Sequence, residues 1–420
     1  MPISFPLSPT LNQTYTYNSV TWTYNGKGWT KSPTAASAFP TQTNNSGKYL
    51  TTNGTNTSWA TLVITPPTPT AVSDQVNTST GAFDLPSGTT AQRPVSPTTG
   101  YTRINTTNNS LEVYSDTSWN PVQYFGYISA TGGVVTTSGD FKIHTFLSSS
   151  NFVITSAPAN ATVEYLVVAG GGGGGSDMGG GGGAGGVLAG SNLALTAGNH
   201  PIVVGAGGAG ALAGTNQLAG SSGTNSSISF TGGTTLINAL AGGGGASDHD
   251  AAGAPAFSGG SGGGASGQNA NRGLGTSGQG NSGANSAGQW YPGGGGGAGA
   301  AGATNPANGG IGIQNAINGT NLYWAGGGGG GGYSVYGGNG GLGGGGGGAP
   351  ASATQGLGGT GGLNSGVAGS LGGLAGSPNV PGGNGGANTG GGGGGGAHYN
   401  AGNFGGTGGS GIVIIKYRFQ

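Results

Sequence analysis

Apolar and polar positions alternate along the first third of this chain, then give way to glycine. Tyr15 and Tyr17, and after them Val20, Trp22 and Tyr24, are separated by polar residues, the period of a half-buried strand. Asn25-Gly26 follows as a hairpin-turn signal, and then Trp29. The unit recurs as Lys48-Tyr49-Leu50-Thr51-Thr52, Asn53-Gly54 and Trp59. It recurs again as residues 101–105, Leu111-Glu112-Val113-Tyr114 and Trp119. Each predicts a small hairpin sheet stapled by a large ring. A lone hairpin is marginal in water, so three separated units predict stabilisation by assembly of chains. Between the second and third units, Thr65-Pro66-Pro67-Thr68-Pro69-Thr70 predicts an extended, semi-rigid connector; residues 71–86 carry only weak strand signals.

The pattern sharpens after residue 123. Phe141-Lys142-Ile143-His144-Thr145-Phe146 and Asn151-Phe152-Val153-Ile154-Thr155 alternate, with Ser148-Ser149-Ser150 as the expected turn. Val163-Glu164-Tyr165-Leu166-Val167-Val168-Ala169 is a third expected strand and runs straight into Gly170. At the far end, Ile412-Val413-Ile414-Ile415-Lys416-Tyr417 reads as a strand buried on much of both faces. It is expected to pair in one sheet with 141–169, so that everything between is a long excursion whose entry and exit lie close together. Residues 192–204 and 226–230 are further expected strands of that base.

The excursion is glycine. The chain has 107 Gly, many in unbroken blocks at 170–175, 179–183, 293–297, 326–332, 343–348 and 390–396. Ordering glycine backbone costs more entropy than ordering any other residue, so the stretch is either a flexible linker or a dense hydrogen-bonded lattice. Interruptions every third residue favour the lattice: Leu357, Thr360 and Leu363; Phe404, Thr407, Ser410 and Val413; Asn339 and Leu342; Pro381, Asn384 and Ala387. A period of three is that of the polyproline II helix, which makes no hydrogen bonds to itself and must pair sideways. Two glycines per triplet leave two faces of each rod bare for such pairing, the polyglycine II arrangement. Collagen would need one Gly per triplet and far more than the 20 Pro present. A disordered tract would be rich in charge and poor in aromatics, whereas this one carries several aromatic pairs.

The expected fold class is therefore all-β and irregular: small N-terminal β-hairpin modules, then a β base carrying a polyglycine II helix bundle. The expected divisions are hairpin attachment modules at 1–64, the connector and third hairpin module at 65–122, the base at 123–169, the glycine-rich region at 170–411 and a closing strand at 412–420.

Charge and composition remove most chemistries. Nine basic and nine acidic residues cancel, which leaves no basic patch for nucleic acid or an anionic membrane. There is no Cys, hence no disulfide framework and no thiolate chemistry. No signal peptide and no membrane span is expected. Asp248-His249-Asp250 is the one group of metal-ligand types after Glu164, but adjacent residues rarely converge on one ion, and it reads as a solvated loop. Glycine blocks such as 326–332 are not followed by Lys-Ser/Thr, which argues against phosphate binding. His200, His249 and His398 have no Ser or Cys partner at a recognisable spacing, and the paired carboxylates of a glycosidase are lacking. No enzyme, cofactor or metal is expected.

Three stretches resemble known sequence. Pro86-Ser87-Gly88-Thr89-Thr90-Ala91-Gln92-Arg93-Pro94 with Gly100-Tyr101-Thr102-Arg103-Ile104-Asn105, Leu111-Glu112-Val113-Tyr114 and Trp119 resembles a module common in tail-fibre and other structural proteins of bacteriophages. The unit from Gly47 to Trp59 is similar to another phage-fibre element. Tyr165-Leu166-Val167-Val168-Ala169 with its glycines, closing at 408–417, looks like the glycine-rich domain of phage receptor-binding proteins. The resemblance implies a virion location outside the cell, an N-terminal end attached to other virion tail proteins, and binding to a host surface glycan or outer-membrane protein through loops of the glycine-rich region. With the weak hairpins, it implies a homotrimer along the N-terminal region. No binding residue transfers from the family. The aromatic residues beside the glycine blocks, Trp290, Tyr291, Tyr323, Trp324, Tyr333, Tyr336, His398 and Tyr399, are the expected receptor contacts, since Trp and Tyr offer a flat apolar face with a polar edge. The competing reading of these rings is that they cover rod ends. Competing functions are a structural filament or virion decoration protein without a receptor, and an ice-binding protein built on a flat polyglycine II face.

Overall fold

The computed structural model describes residues 2–32, 40–63, 85–108, 110–122, 127–212, 219–230, 232, 234–248, 254–268, 271–288, 290–333, 336–351, 354–371, 380–398 and 403–420. The connector at 65–70, His249, Asp250 and Tyr399 lie outside them. The chain forms two compact units, Met1–Leu85 and Pro86–Gln420, and is all-β.

In the first unit, β1 (Thr14–Tyr17), β2 (Val20–Tyr24) and β3 (Trp29–Lys31) form an antiparallel sheet, and β4 (Lys48–Thr52) pairs with β5 (Thr57–Thr61). Both expected Asn-Gly turns form in the same way. The Asn25 side chain accepts from the amides of Lys27 and Gly28, and that of Asn53 from those of Thr55 and Asn56; Gly26 and Gly54 supply the positive φ. Trp29 stacks on Phe5 at 5.1 Å, with Tyr15 at 6.1 Å. Trp59 donates to the Pro40 carbonyl at 2.9 Å.

The second unit opens with a four-stranded sheet of β6 (Ser87–Gly88), β7 (Thr102–Asn105), β8 (Ser110–Ser115) and β9 (Ser118–Pro121). Glu112 is buried here between two guanidinium groups, with Arg93 Nη2 at 2.6 Å and Arg103 Nε at 3.6 Å. The hydrogen bond from Arg93 holds the Glu112 carboxyl below its ordinary range, against the opposing effect of burial.

The base consists of two five-stranded sheets. One runs β10 (Ser129–Thr131), β13 (Ser150–Ser156), β16 (Gly198–Val203), β17 (Ser226–Ser229), β18 (Thr235–Ala239). The other runs β11 (Val134–Ser138), β12 (Phe141–Phe146), β21 (Ile412–Arg418), β14 (Thr162–Val168), β15 (Val187–Ala194). The C-terminal strand is central, hydrogen-bonded to β12 on one side and β14 on the other. Its alternate side chains enter two cores. Val413, Ile415 and Tyr417 meet Phe146, Phe152, Val163, Val167, Ile202 and Ile228 between the sheets. Ile412 and Ile414 join Ile143, Leu166, Val168, Ile317 and Trp324 on the other face, which is covered by the short hairpin of β19 (Ile313–Asn315) and β20 (Leu322–Trp324). That double burial is why the strand is apolar at almost every position.

Two expectations about the base are corrected. The strands at 141–146 and 150–156 do not form a hairpin about the serines; they belong to opposite sheets, because Phe146 and Phe152 must face each other across one core (6.3 Å between ring centroids). The expected strand at 192–204 is two strands in different sheets, broken at 195–197.

His144 is buried in the inter-sheet core. Its Nδ1 faces the Gly132 carbonyl at 2.7 Å and so carries the proton, and its Nε2 accepts from the Tyr417 hydroxyl at 3.0 Å. Burial pushes its pKa below the ordinary value. In acid, the unfolded chain takes up a proton at this position that the folded one resists. Stability is therefore full above the ordinary His pKa, about 6.5, and falls as pH drops below it toward the folded value. Denaturant midpoints between pH 8 and 5 should show this decline. A His144→Gln variant should show a shallower one, and an equal decline in the variant would assign the acid sensitivity elsewhere.

Between β14 and β21 lies the lattice. Amides of residues 170–175 donate in turn to Thr224, Gly409, Gly183, Ser221, Gly406 and Gly180. The partner changes at every residue and the same neighbouring rod returns at every third, the signature of a threefold rod without internal bonds. A Cβ at these six positions would stand 1.7–2.2 Å from carbonyl oxygens of Ala206, Gly391, Gly243, Ala209, Gly394 and Ala246. The rod is thus enclosed by neighbours on all sides. The pattern repeats as the chain runs out and back, as in Gly338 to Gly330 and Gly341 to Gly327, then Gly348 to Gly338. Side chains at the third position point outward on surface rods, as at Leu357 and Thr360, or Asn339 and Leu342. The outward asparagines also bind: Leu357 N donates to Asn339 Oδ1 and Thr407 N to Asn384 Oδ1. The spacing overruns the rods at two places. Leu363 lies in a bend after Gly361 (φ 76°), and Val413 is already in β21.

Candidate functional site

The rod that leaves β14 turns back at its far end, beyond the block 170–175. The break between the blocks 170–175 and 179–183 places Asp177 and Met178 in a tight turn, both at positive φ (48° and 47°). Met178 is buried, and its amide donates to the Ala397 carbonyl while its own carbonyl accepts from Gly267. These bonds pin together the turns around 177, 267 and 397. A Cβ on Gly267 would meet Met178 Sδ at 3.2 Å and Trp290 Cα at 3.4 Å, so the 290 turn packs against the same point.

Around that point the side chains converge. His398 Nδ1 lies 2.8 Å from Asp177 Oδ1. Trp290 and Tyr333 have ring centroids 4.8 Å apart, and His398 stands edge-on to both, at 5.4 Å from Trp290 and 4.7 Å from Tyr333. All four side-chain-bearing residues are half-buried, so the group presents an edge to solvent. Trp290 adopts φ 83°, a conformation that costs a bulky residue on the order of 1–3 kcal/mol and persists only where the surroundings impose it. Tyr291 and Tyr336 are exposed, at 36% and 67%.

The expected contact residues therefore separate. Trp290, Tyr333 and His398 come together; Tyr291 follows Trp290 directly and Tyr336 lies three positions beyond Tyr333. Tyr323 and Trp324 do not join them. They lie in β20 on the base, where Trp324 is 0% exposed and donates its Nε1–H to the Asn315 carbonyl at 3.2 Å. Trp324 is a core residue and not a loop contact, because the outer face of the central sheet needs an apolar cover. Asp177 was not among the expected contacts. Its partner is 221 positions away; the available signal was a carboxylate placed between two glycine blocks, where the chain must turn.

The cluster offers an aromatic face, an imidazole and a carboxylate, a set suited to holding a polar ring by stacking and hydrogen bonds. Among the described residues no group of side chains is arranged to hold a metal ion. Asp248 is buried, its amide turned to the carbonyls of Ser176 and Asp177, so it is part of the packed turn and not a solvated loop. No described helix is long and apolar enough to cross a membrane. Residues 147–378, more than half of the chain, match the family model of a glycine-rich domain. No curated protein matches the chain.

Proposed function

We propose, from the premise that this chain belongs to the glycine-rich domain family, that it is a virion tail-fibre or tail-tip adhesin. In this reading it binds a glycan or protein on a host cell surface through the Trp290–Tyr333–His398–Asp177 cluster, with the N-terminal modules joined to other tail proteins and no catalytic activity. The observation that supports it is the assembly of three rings and a carboxylate on turns at the end of a bundle whose inner rods are hydrogen-bonded to neighbours all round. The glycine faces of the rods carry no side chains, whereas these turns bring aromatic rings, an imidazole and a carboxylate together. Such a support also holds the rings in place before contact, which lowers the cost of binding.

The test is adsorption of the purified full chain to a panel of bacterial cells. Replacing Trp290 and Tyr333 together by Ala should weaken adsorption by about thirtyfold or more, the effect of removing aromatic anchors, while the melting transition persists. Raising salt should change adsorption little, because charged residues are sparse across the glycine region. Undiminished adsorption by the double variant, or attachment that collapses in high salt, would remove the aromatic turns as the binding surface. A chain that adsorbs to no cell type would instead favour a structural filament.

A further inference from the structure

The outer face of the sheet built on β21 is apolar where the β19–β20 hairpin covers it, at Leu166, Val168, Ile412 and Ile414. Further along the same strands it becomes charged. Glu164 on β14 pairs with Lys416 on β21, and the Lys416 ammonium donates to both carboxylate oxygens, at 3.1 and 3.3 Å. The Phe141 ring centroid, 4.4 Å from that ammonium, gives it a second contact. An ion pair open to solvent contributes little to stability, and both of these side chains are open, Lys416 at 21% and Glu164 at 42%. They border a cleft of about 500 Å³, a volume within the range of small-molecule sites. Tyr165, Ser191, Asn315 and Ile317 line it with them.

Local backbone features shape this lining. Val163 pairs with Leu193 and Tyr165 with Gly190, so Ser191 and Asn192 together stand against Glu164 in a bulge, with Asn192 at φ 62°. Gly190 makes room for the Tyr165 ring, whose hydroxyl would lie 2.8 Å from a Cβ at that position. Asn315 Oδ1 accepts from the Ile317 amide, while its Nδ2 and the hydroxyls of Ser191 and Tyr165 have no hydrogen-bond partner among the described residues. The lining thus has one cation and one anion that cancel, and several free donors. We propose that the cleft binds a neutral sugar unit. Glu164 keeps lone pairs for two adjacent hydroxyls, Lys416 keeps a third N–H for a sugar oxygen, and Asn315 offers its amide hydrogens. Ile317 and the Tyr165 ring supply apolar surface for the C–H face of the sugar. A charged ligand would have to part the existing pair and leave one member unmatched, whereas a neutral one leaves it intact. The site is on the base, so it does not rest on what the distal turns bind.

The test is saturation-transfer NMR of the full chain with the methyl glycosides of glucose, galactose, mannose and N-acetylglucosamine, and with glucosamine and glucuronate as charged counterparts. At least one neutral glycoside should bind, and more tightly than either charged sugar. Glu164→Gln should weaken that binding by about tenfold or more, as when hydrogen bonds to a charged acceptor are lost. Ala316 is exposed on the hairpin and lines the same cleft, so Ala316→Trp should fill the cleft and abolish binding with an unchanged melting transition. Replacing Trp290 and Tyr333 by Ala should leave it intact, which separates this site from the distal turns. The proposal is overturned if none of the four neutral glycosides binds, or if Ala316→Trp binds as the wild type does. Loss of binding in the Trp290 and Tyr333 variant would move the sugar to the turns, and tighter binding of a charged sugar would make the cleft an ion-pairing site; either result also overturns it.

Discussion

Replacing Gly182 by alanine is expected to destabilise the second unit by about 3 kcal/mol or more, the upper range for overpacking with hydrogen bonds lost in addition. The added methyl would stand 2.2 Å from the Gly172 carbonyl oxygen, and no rotamer can relieve a clash at Cβ. Either rod could retreat only by breaking other bonds. The Gly182 amide donates to Gly393 at 2.8 Å and its carbonyl accepts from Gly328 at 2.9 Å, so a shift of one rod is felt by at least three. Leu357→Ala is the matched control. Leu357 faces outward and is 61% exposed, so its truncation should fall within about 0.5 kcal/mol of zero. Denaturant or thermal unfolding of both variants decides the matter. Equal, small effects would mean that the rods are not held in register by their backbones.

Trp324→Ala should cost about 3–5 kcal/mol, as for other large buried rings, and should leave adsorption per folded molecule unchanged. The ring is fully buried over the outer face of the central sheet, among Leu166, Val168, Ile412 and Ile414. Truncation opens a cavity there and orphans the Asn315 carbonyl that accepts its Nε1–H. Trp290 at the other end of the rods is half-buried and, among the described residues, meets the rings of Tyr333 and His398. Its removal is expected to act on binding and not on the base. The two variants thus separate two tryptophans that are indistinguishable by local sequence, each followed or preceded by Tyr and close to a glycine block. A Trp324→Ala chain that folds normally but fails to adsorb would reverse the assignment.

What sequence alone determined about this protein is what depends on short-range periodicity. A residue with no Cβ at two of every three positions leaves backbone pairing as the main source of order, and the three-residue period states the rod geometry directly. The doubly buried C-terminal strand was equally legible, since a run without polar interruption has no solvent-facing side, and the Asn-Gly turns were set by residues within four positions of each other. Tertiary structure decided everything that turns on which distant segments meet. The glycine blocks are alike, so nothing local says that 170–175 lies beside 221–224, 406–409 and 180–183. Phe146 and Phe152 read as neighbours in a hairpin until two sheets, and not one, had to enclose a core. Tyr323-Trp324 and Trp290-Tyr291 read alike until one pair was needed to cover the base and the other was left at the turns. The Asp177–His398 contact lies beyond any local signal for the same reason. Periodicity is written in a single stretch of chain, whereas partner choice comes from packing the whole set of rods and sheets at once.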